Sequence, residues 1–271
     1  SHTLADAAKA KPTPDTSPPS VWTEQLTSEE VGLLINEGFT TVLIPTGGIE
    51  ENGPYLATGK HNVVLEETCP VIAARLGNAQ CAPIVKFVPE GTIDPPSGAM
   101  KYPGTICLRE ETYEALLLDI GASLAQSGFT DLIYIGDSGG NQRGMANAAD
   151  ALNARWDQPT TRGKTRAHFI REYYDPGWEA TEDYTRKILG VSEGASDGFH
   201  DDIWVTAMMM VQDPELVRYS QREANGTASI NGVSITPAAK TIELGRAMIA
   251  FRAKLAAEAI EAAIDMQQLD P

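Results

Sequence analysis

The sequence predicts an α/β fold, a single domain with a mostly parallel central sheet and helices on both faces. Three observations predict it. Residues 42–44 (Val-Leu-Ile) and 132–135 (Leu-Ile-Tyr-Ile) are apolar runs without polar alternation, as in strands buried on both faces. Each run ends in a glycine-rich loop bearing carboxylates, Gly47 to Asn52 after the first and Gly136 to Asn141 after the second. Helical periodicity follows each loop, and this strand-loop-helix alternation is the signature of parallel βαβ units. With 271 residues, 42% of them apolar, the chain is long enough to bury one large core.

Taken in order, residues 1–20 read as a flexible leader and residues 21–271 as the domain. Ser1-His2 resembles a cloning remnant. The Ala-, Pro-, Thr- and Lys-rich stretch after it reads as what remains once a signal peptide is removed, pointing to the periplasm or secretion; a cloning origin of the same start would leave a cytoplasmic protein. Thr27 or Ser28 caps a first helix running to Gly38. The strand at 42–44 stops at Pro45, and Gly47 and Gly48 let the chain turn there. Helical spacing of Val64, Cys69, Ile72 and Leu76 predicts a helix over 63–76 despite Pro70, closed by Gly77. Residues 82–88 read as a second buried strand, 89–103 as a long Gly/Pro/Asp loop of the kind that carries function, and 105–108 as a short strand. A strong helix covers 110–126 and ends at Gly128. After the 132–135 strand, a helix over 141–156 points its N-terminal amides at the second glycine loop. Then come a weaker strand at 168–170, an aromatic loop at 173–178, a helix at 203–211 with Met208, Met209 and Met210 as core filler, a polar turn at 225–233, and an Ala-rich helix over 237–267 with a packing or assembly role.

Composition narrows the partners. Lysine and arginine total 21 against 37 acidic residues, a net charge of −16 that repels nucleic acid and anionic membrane surfaces. No apolar run has the length of a bilayer span. Cys69, Cys81 and Cys107 show no close pairing in the sequence, so they read as buried thiols rather than a disulfide framework or a thiolate metal site.

Three places carry chemistry. Glu50, with His61 brought back by the loop, is the beginning of a metal site or an acid/base pair; Asp137 is a second pole at the next strand end; His200 stands at a helix start. Two carboxylates and two imidazoles suit one divalent ion, zinc, manganese or iron, although solvated acids and surface histidines are the ordinary fate of such residues. Neither loop is a nucleotide-binding motif. Gly136-x-Ser138-x-Gly140 matches a nucleophile elbow, so a serine hydrolase using Ser138, Asp175 or Asp197, and His200 is a rival reading. The aromatics Tyr55, Tyr102, Tyr173 and Trp178 are candidate pocket walls for a ring-shaped or sugar-like substrate.

The ordered motifs resemble those of the creatininase (creatinine amidohydrolase) family. Residues 42–56 (VLIPTGGIEENGPYL) are similar to its strand followed by G-S-x-E-Q-H-G-P-H-L-P, and residues 102–108 (YPGTICL) to its F-P-G-T-I-S-L. Ser127-Gly128-Phe129 and residues 133–141 resemble its G-F, strand, N-G-H-G-G-N, and residues 200–207 its H-A-G-x-x-E-T-S. The resemblance implies an oligomeric α/β enzyme that hydrolyses C–N bonds of linear or cyclic amides through a divalent metal centre. The ligand pattern departs from it here: Asn52 replaces a histidine, His61 an aspartate, Ser138 a histidine, and Gly140 and Val205 stand where glutamates serve. The expectation is therefore one divalent ion on Glu50, His61 and Asp137, with Glu51, His200 or Ser138 in catalysis and Asn52, Tyr55, Tyr102, Asn141 and Trp178 around a small substrate. A metal-activated water would attack an amide or lactone carbonyl; metal-assisted elimination or isomerisation, and non-catalytic binding, are the alternatives.

Overall fold

The computed structural model describes residues 18–157 and 165–268, so the expected leader lies outside the described residues apart from its last three positions. Helix α1 (Ser28–Asn36) starts at a capping box: the Thr27 hydroxyl accepts from the Glu30 amide and the Glu30 carboxylate from the Thr27 amide. Then follow β1 (Thr41–Thr46), α2 (Lys60–Leu76), β2 (Ala79–Cys81), α3 (Glu110–Ser127), β3 (Asp131–Gly136), α4 (Gln142–Trp156), β4 (Arg166–Phe169), α5 (Gly177–Lys187), α6 (Ile203–Gln212) and α7 (Tyr219–Ala224). A small hairpin, β5 (Ser229–Ile230) with β6 (Val233–Ser234), precedes the long α8 (Ala238–Gln268).

The four main strands are parallel, in the order β2-β1-β3-β4. From β1 the chain winds outward one way to β2, then crosses to the far side of β1 and winds the other way through β3 to β4. The reversal falls between β1 and β3, the place in an open α/β sheet where a crevice forms at the carboxyl ends. Thr46 pairs with Gly136, so both glycine loops leave the sheet at the same level.

Strand alternation sorts the faces. Val42, Ile44, Leu132 and Tyr134 pack on Tyr113 and Leu117 of α3 and Met145 and Leu152 of α4. Leu43, Ile133 and Ile135 pack on Leu65 and Ile72 of α2 and Ala253, Ala256 and Ile260 of α8. A third cluster centres on the buried Met208, Met209 and Met210 of α6, against α2 and α8. Gly245 lets α8 close on α6, since a Cβ there would meet the Ala207 carbonyl oxygen at 2.2 Å.

Three element expectations change. The second strand is Ala79–Cys81 rather than 82–88: Pro83 has no amide to donate, and the chain beyond it touches the sheet by a single bridge, Val85 with Thr46, while Val88 bridges Cys107 outside the sheet. The 105–108 stretch also makes only isolated bridges, Ile106 with Ile49 and Cys107 with Val88. Helix α2 begins at Lys60, which puts Lys60 and His61 on its first turn instead of in the loop. The helices α5 and α7 are additions to the sequence reading.

Candidate functional site

The crevice between β1 and β3 holds a buried chain of titratable groups. His61, brought in by the first turn of α2, lies between two carboxylates: its Nδ1 is 2.7 Å from Asp137 Oδ2 and its Nε2 is 2.7 Å from Glu50 Oε1. The Lys60 Nζ stands 3.5 Å from the same Glu50 oxygen. Asp137 is held in turn by the Tyr173 hydroxyl, which donates to Oδ1 at 3.2 Å, and by Arg252, whose Nη2 is 3.7 Å away. Arg252 is wholly buried, donates through Nε to the Tyr173 carbonyl at 2.6 Å, and lies over the Tyr173 ring.

Asparagines lock the loops that carry these groups. The Asn141 amide donates to the Gly47 carbonyl while its oxygen accepts from the Ser138 amide, joining the β1 loop to the β3 loop. Asn62 both donates to the Gly48 carbonyl and accepts from the Gly48 amide. Such close approach needs glycine, since a Cβ on Gly47 would meet the Asn62 side-chain oxygen at 2.1 Å and one on Gly48 would meet Glu90 Oε1 at 2.2 Å.

Electrostatics follows from this burial. Burial and the Lys60 ammonium both oppose charge on His61, yet the carboxylates of Asp137 and Glu50 outweigh them and raise its pKa. Burial alone would raise Glu50, but the hydrogen bond and charge of His61, helped by Glu90 and Lys60, hold it well below the usual carboxylate range. Glu90 is pushed the other way, to about 9, first by burial and then by Glu50 beside it. It is buried, and it shares a hydrogen bond with Glu50.

The structure brings Glu50, His61 and Asp137 together, but not as three ligands of one ion. The carboxylates sit on opposite nitrogens of the imidazole ring, which point apart, so the expected set cannot converge. Among the described residues, no three His, Cys, Asp or Glu side chains stand ready to hold a metal.

Other expected residues are placed differently. The His200 side chain is exposed, and only its carbonyl approaches the cluster, 3.4 Å from Lys60 Nζ. Glu51 folds back to accept from the Gly53 amide. Ser138 is buried beside Asp137, but both nitrogens of His61 are engaged, His168 pairs with Asp131, and His200 is exposed, so no described imidazole serves it as a base. Asn52 and Asn141 act on backbone: Asn52 donates to the Glu50 and Ala57 carbonyls. Tyr55 packs under the Arg222 guanidinium, and Tyr102 is 53% exposed. Trp178 does line a cavity of about 700 Å³, with Phe169, Tyr174, Gln142 and Arg143. This cavity adjoins the β3 loop, because Gln142 donates to the Gly136 and Ser138 carbonyls and the Tyr174 hydroxyl lies against Gly139.

Three site residues escaped the sequence reading, and one of them, Lys60, carried no signal beyond its place beside His61. Glu90 follows a buried apolar stretch, Val88-Pro89, and opens the Gly/Pro/Asp loop, which was the available signal. Arg252 lies on the same helix face as Met248, Ile249, Ala253 and Ala256, so a lone charge on an apolar stripe marked it.

The model of the creatininase family, described as creatinine amidohydrolase, matches residues 24–260. A solved structure described as "Creatininase Mn" superposes with a TM-score of 0.66 at 18% identity, over 93% of this chain and 100% of that chain. A crystal structure of creatinine amidohydrolase (creatininase) gives 0.64 at 19% identity over 93% and 99%. A mutant creatininase of Zn-Zn type gives 0.60 at 19% identity over 93% and 99%; at these identities the likeness is one of fold. A mycofactocin precursor peptide peptidase from Mycobacterium ulcerans (strain Agy99) is 24% identical over 193 residues, 70% of this chain, and the chain spans 65% of that relative's length. With a family match over nearly the whole domain and a shared architecture, the chain belongs to the creatininase family.

Proposed function

We propose that the chain is a hydrolase of a C–N bond, in a linear or cyclic amide, or of a lactone, acting on a small molecule at the β1/β3 crevice with one divalent ion of zinc, manganese or iron. The observation that carries the reading is His61 gripped on Nδ1 by Asp137 with Nε2 turned to Glu50. A carboxylate on one imidazole nitrogen is the usual support of a metal-binding histidine, fixing its tautomer and aiming the other nitrogen.

The residues present do not fit a two-ion centre, because Asn52 is tied to backbone, Val205 is buried in the α6 core, and a Cβ on Gly140 would meet the Pro89 carbonyl oxygen at 2.3 Å. They fit one ion at the corner of His61 Nε2, Glu50 and Glu90, once the Glu50–His61 hydrogen bond opens. Glu90, buried and set against Glu50, supports that corner. A bound divalent ion supplies Lewis acidity, polarising a carbonyl and easing the ionisation of water. Asp137 keeps the His61 ring in place, and Tyr173 and Arg252 keep Asp137 in place. Lys60 provides a second positive group beside Glu50. The cavity of Phe169, Tyr174 and Trp178 offers flat apolar walls to the substrate beside the adjoining loop.

Elemental analysis of the protein, alongside Glu50→Ala and His61→Ala, is the test. About one transition metal per chain, lost in both variants, together with turnover in a panel of amides and lactones, is expected. No metal after reconstitution would overturn the metal reading; Lys60 would then be the cation of the site, and small-molecule binding without catalysis would be favoured.

A further inference from the structure

Cys69 stands in the middle of α2 and Cys81 closes β2. Both are wholly buried in the cluster between the sheet, α2 and α8. Their Sγ atoms lie 2.7 Å apart, closer than two unbonded sulfurs rest, against about 2.05 Å for a disulfide bond. Neither thiol is carried by a wandering loop. Helix α2 is packed on the sheet, and β2 is paired with β1 through Leu43 and Cys81. Cys107 lies apart from them, donating to the Gly91 and Leu108 carbonyls and accepting from the Glu90 amide.

We propose that Cys69 and Cys81 form a disulfide that ties α2 to β2, with a low-molecular-weight disulfide such as oxidised glutathione as the oxidant. The Cys81 thiolate attacks one sulfur of oxidised glutathione, and a glutathione thiolate leaves. The Cys69 thiolate then attacks the Cys81 sulfur of the mixed disulfide, and the second glutathione leaves. The protein loses two protons and two electrons, and the oxidant gains them as two glutathione thiols. Burial, and then Cys81, raise the Cys69 pKa well above that of a free thiol, so the exchange proceeds while α2 is still settling onto β2 or in openings of that contact. The linkage anchors the helix whose first turn presents Lys60 and His61, and it stands independently of the hydrolase reading.

The full chain is incubated with oxidised glutathione, then denatured in iodoacetamide without reductant and mapped by mass spectrometry. The expected result is a cross-linked pair of peptides containing Cys69 and Cys81, with Cys107 alkylated. Thermal unfolding supplies a second readout: reductant lowers the midpoint of the oxidised protein by about 3 °C and leaves Cys69→Ala unmoved. Three alkylated thiols in protein that keeps its native circular dichroism, or a cross-link through Cys107, would overturn the proposal.

Discussion

The strand-end crevice and the segment 191–202 leading into α6 each carry a histidine and several carboxylates, yet only the crevice gathers them. Glu50, His61, Glu90 and Asp137 converge because two neighbouring strands end level, Thr46 opposite Gly136, and Asn141 and Asn62 tie their loops together. The segment 191–202 has no such frame. It is held through Glu193, which accepts from the Ile203 amide and from Asn231, and through the Asp197 amide donating to Asn231. His200 stays in solvent. A histidine on the strand-end frame is buried between carboxylates, and one outside that frame stays in solvent.

Breaking each histidine tests that contrast most strongly. His61→Ala is expected to abolish ion binding and to cut hydrolysis by roughly 100-fold or more, since one change removes a donor and unpairs two carboxylates. His200→Ala should leave both within about threefold. Asp137→Asn is the intermediate case: the ring loses its carboxylate support, and ion affinity, measured by calorimetric titration, should fall by roughly 10- to 100-fold. Equal effects of His61→Ala and His200→Ala would erase the distinction.

Arg252 sharpens it on the side of stability. The Arg252 and Asp137 side chains are each 1% exposed, so Arg252→Leu removes a buried guanidinium from Asp137 and from the Tyr173 carbonyl and leaves Asp137 to His61 and Tyr173. Urea unfolding should show a loss of about 3–5 kcal/mol. The exposed Arg171–Asp175 pair lies at the cavity rim, and Arg171→Ala should not move the urea midpoint measurably.

A smaller effect separates the glycines. Gly48→Ala would drive a methyl into the Glu90 carboxyl and should cost about 2 kcal/mol along with ion binding. Gly198, in the segment 191–202, has a φ of +89° and open space around it, so Gly198→Ala should cost only the backbone penalty of about 1 kcal/mol and leave ion binding intact.

Much of this contrast was legible in the sequence. The runs 42–44 and 132–135 identify β1 and β3 because strands buried on both faces have no polar alternation, and the glycines after them show where the chain turns. Glu50, His61 and Asp137 were legible as candidates at the strand ends, and their approach depends on β1 lying next to β3, which the spacing does not show. The divergence of the two carboxylates around His61 was not legible, because it depends on α2 starting at Lys60 and turning the ring between the strands. Arg252 reaches Asp137 from 115 residues away in the chain, a contact that no local pattern encodes. The Cys69–Cys81 approach depends on where β2 ends, the very boundary that Pro83 shifts. His200 was overvalued because a helix-start histidine looks the same in sequence whether its loop is pinned or free.

The smallest expected effect concerns the residue after it. Asp201 is buried, and burial, followed by the charge and hydrogen bond of Asp197, pushes its pKa up to about 6. An acid with a raised folded pKa favours folding most where it is protonated in both states. As pH rises from about 4 to 6, the unfolded carboxyl ionises while the folded one keeps its proton, so stability falls across that window and stays at the lower level above it. Asp201→Asn removes that dependence. Its melting temperature relative to wild type should therefore rise between pH 4 and 6 and level off at a gain of about 2 °C by pH 7. A difference that does not change with pH would mean that Asp201 is not the titrating group, leaving Glu193 and Asp202, whose carboxyls burial also raises, as the remaining acids of the segment.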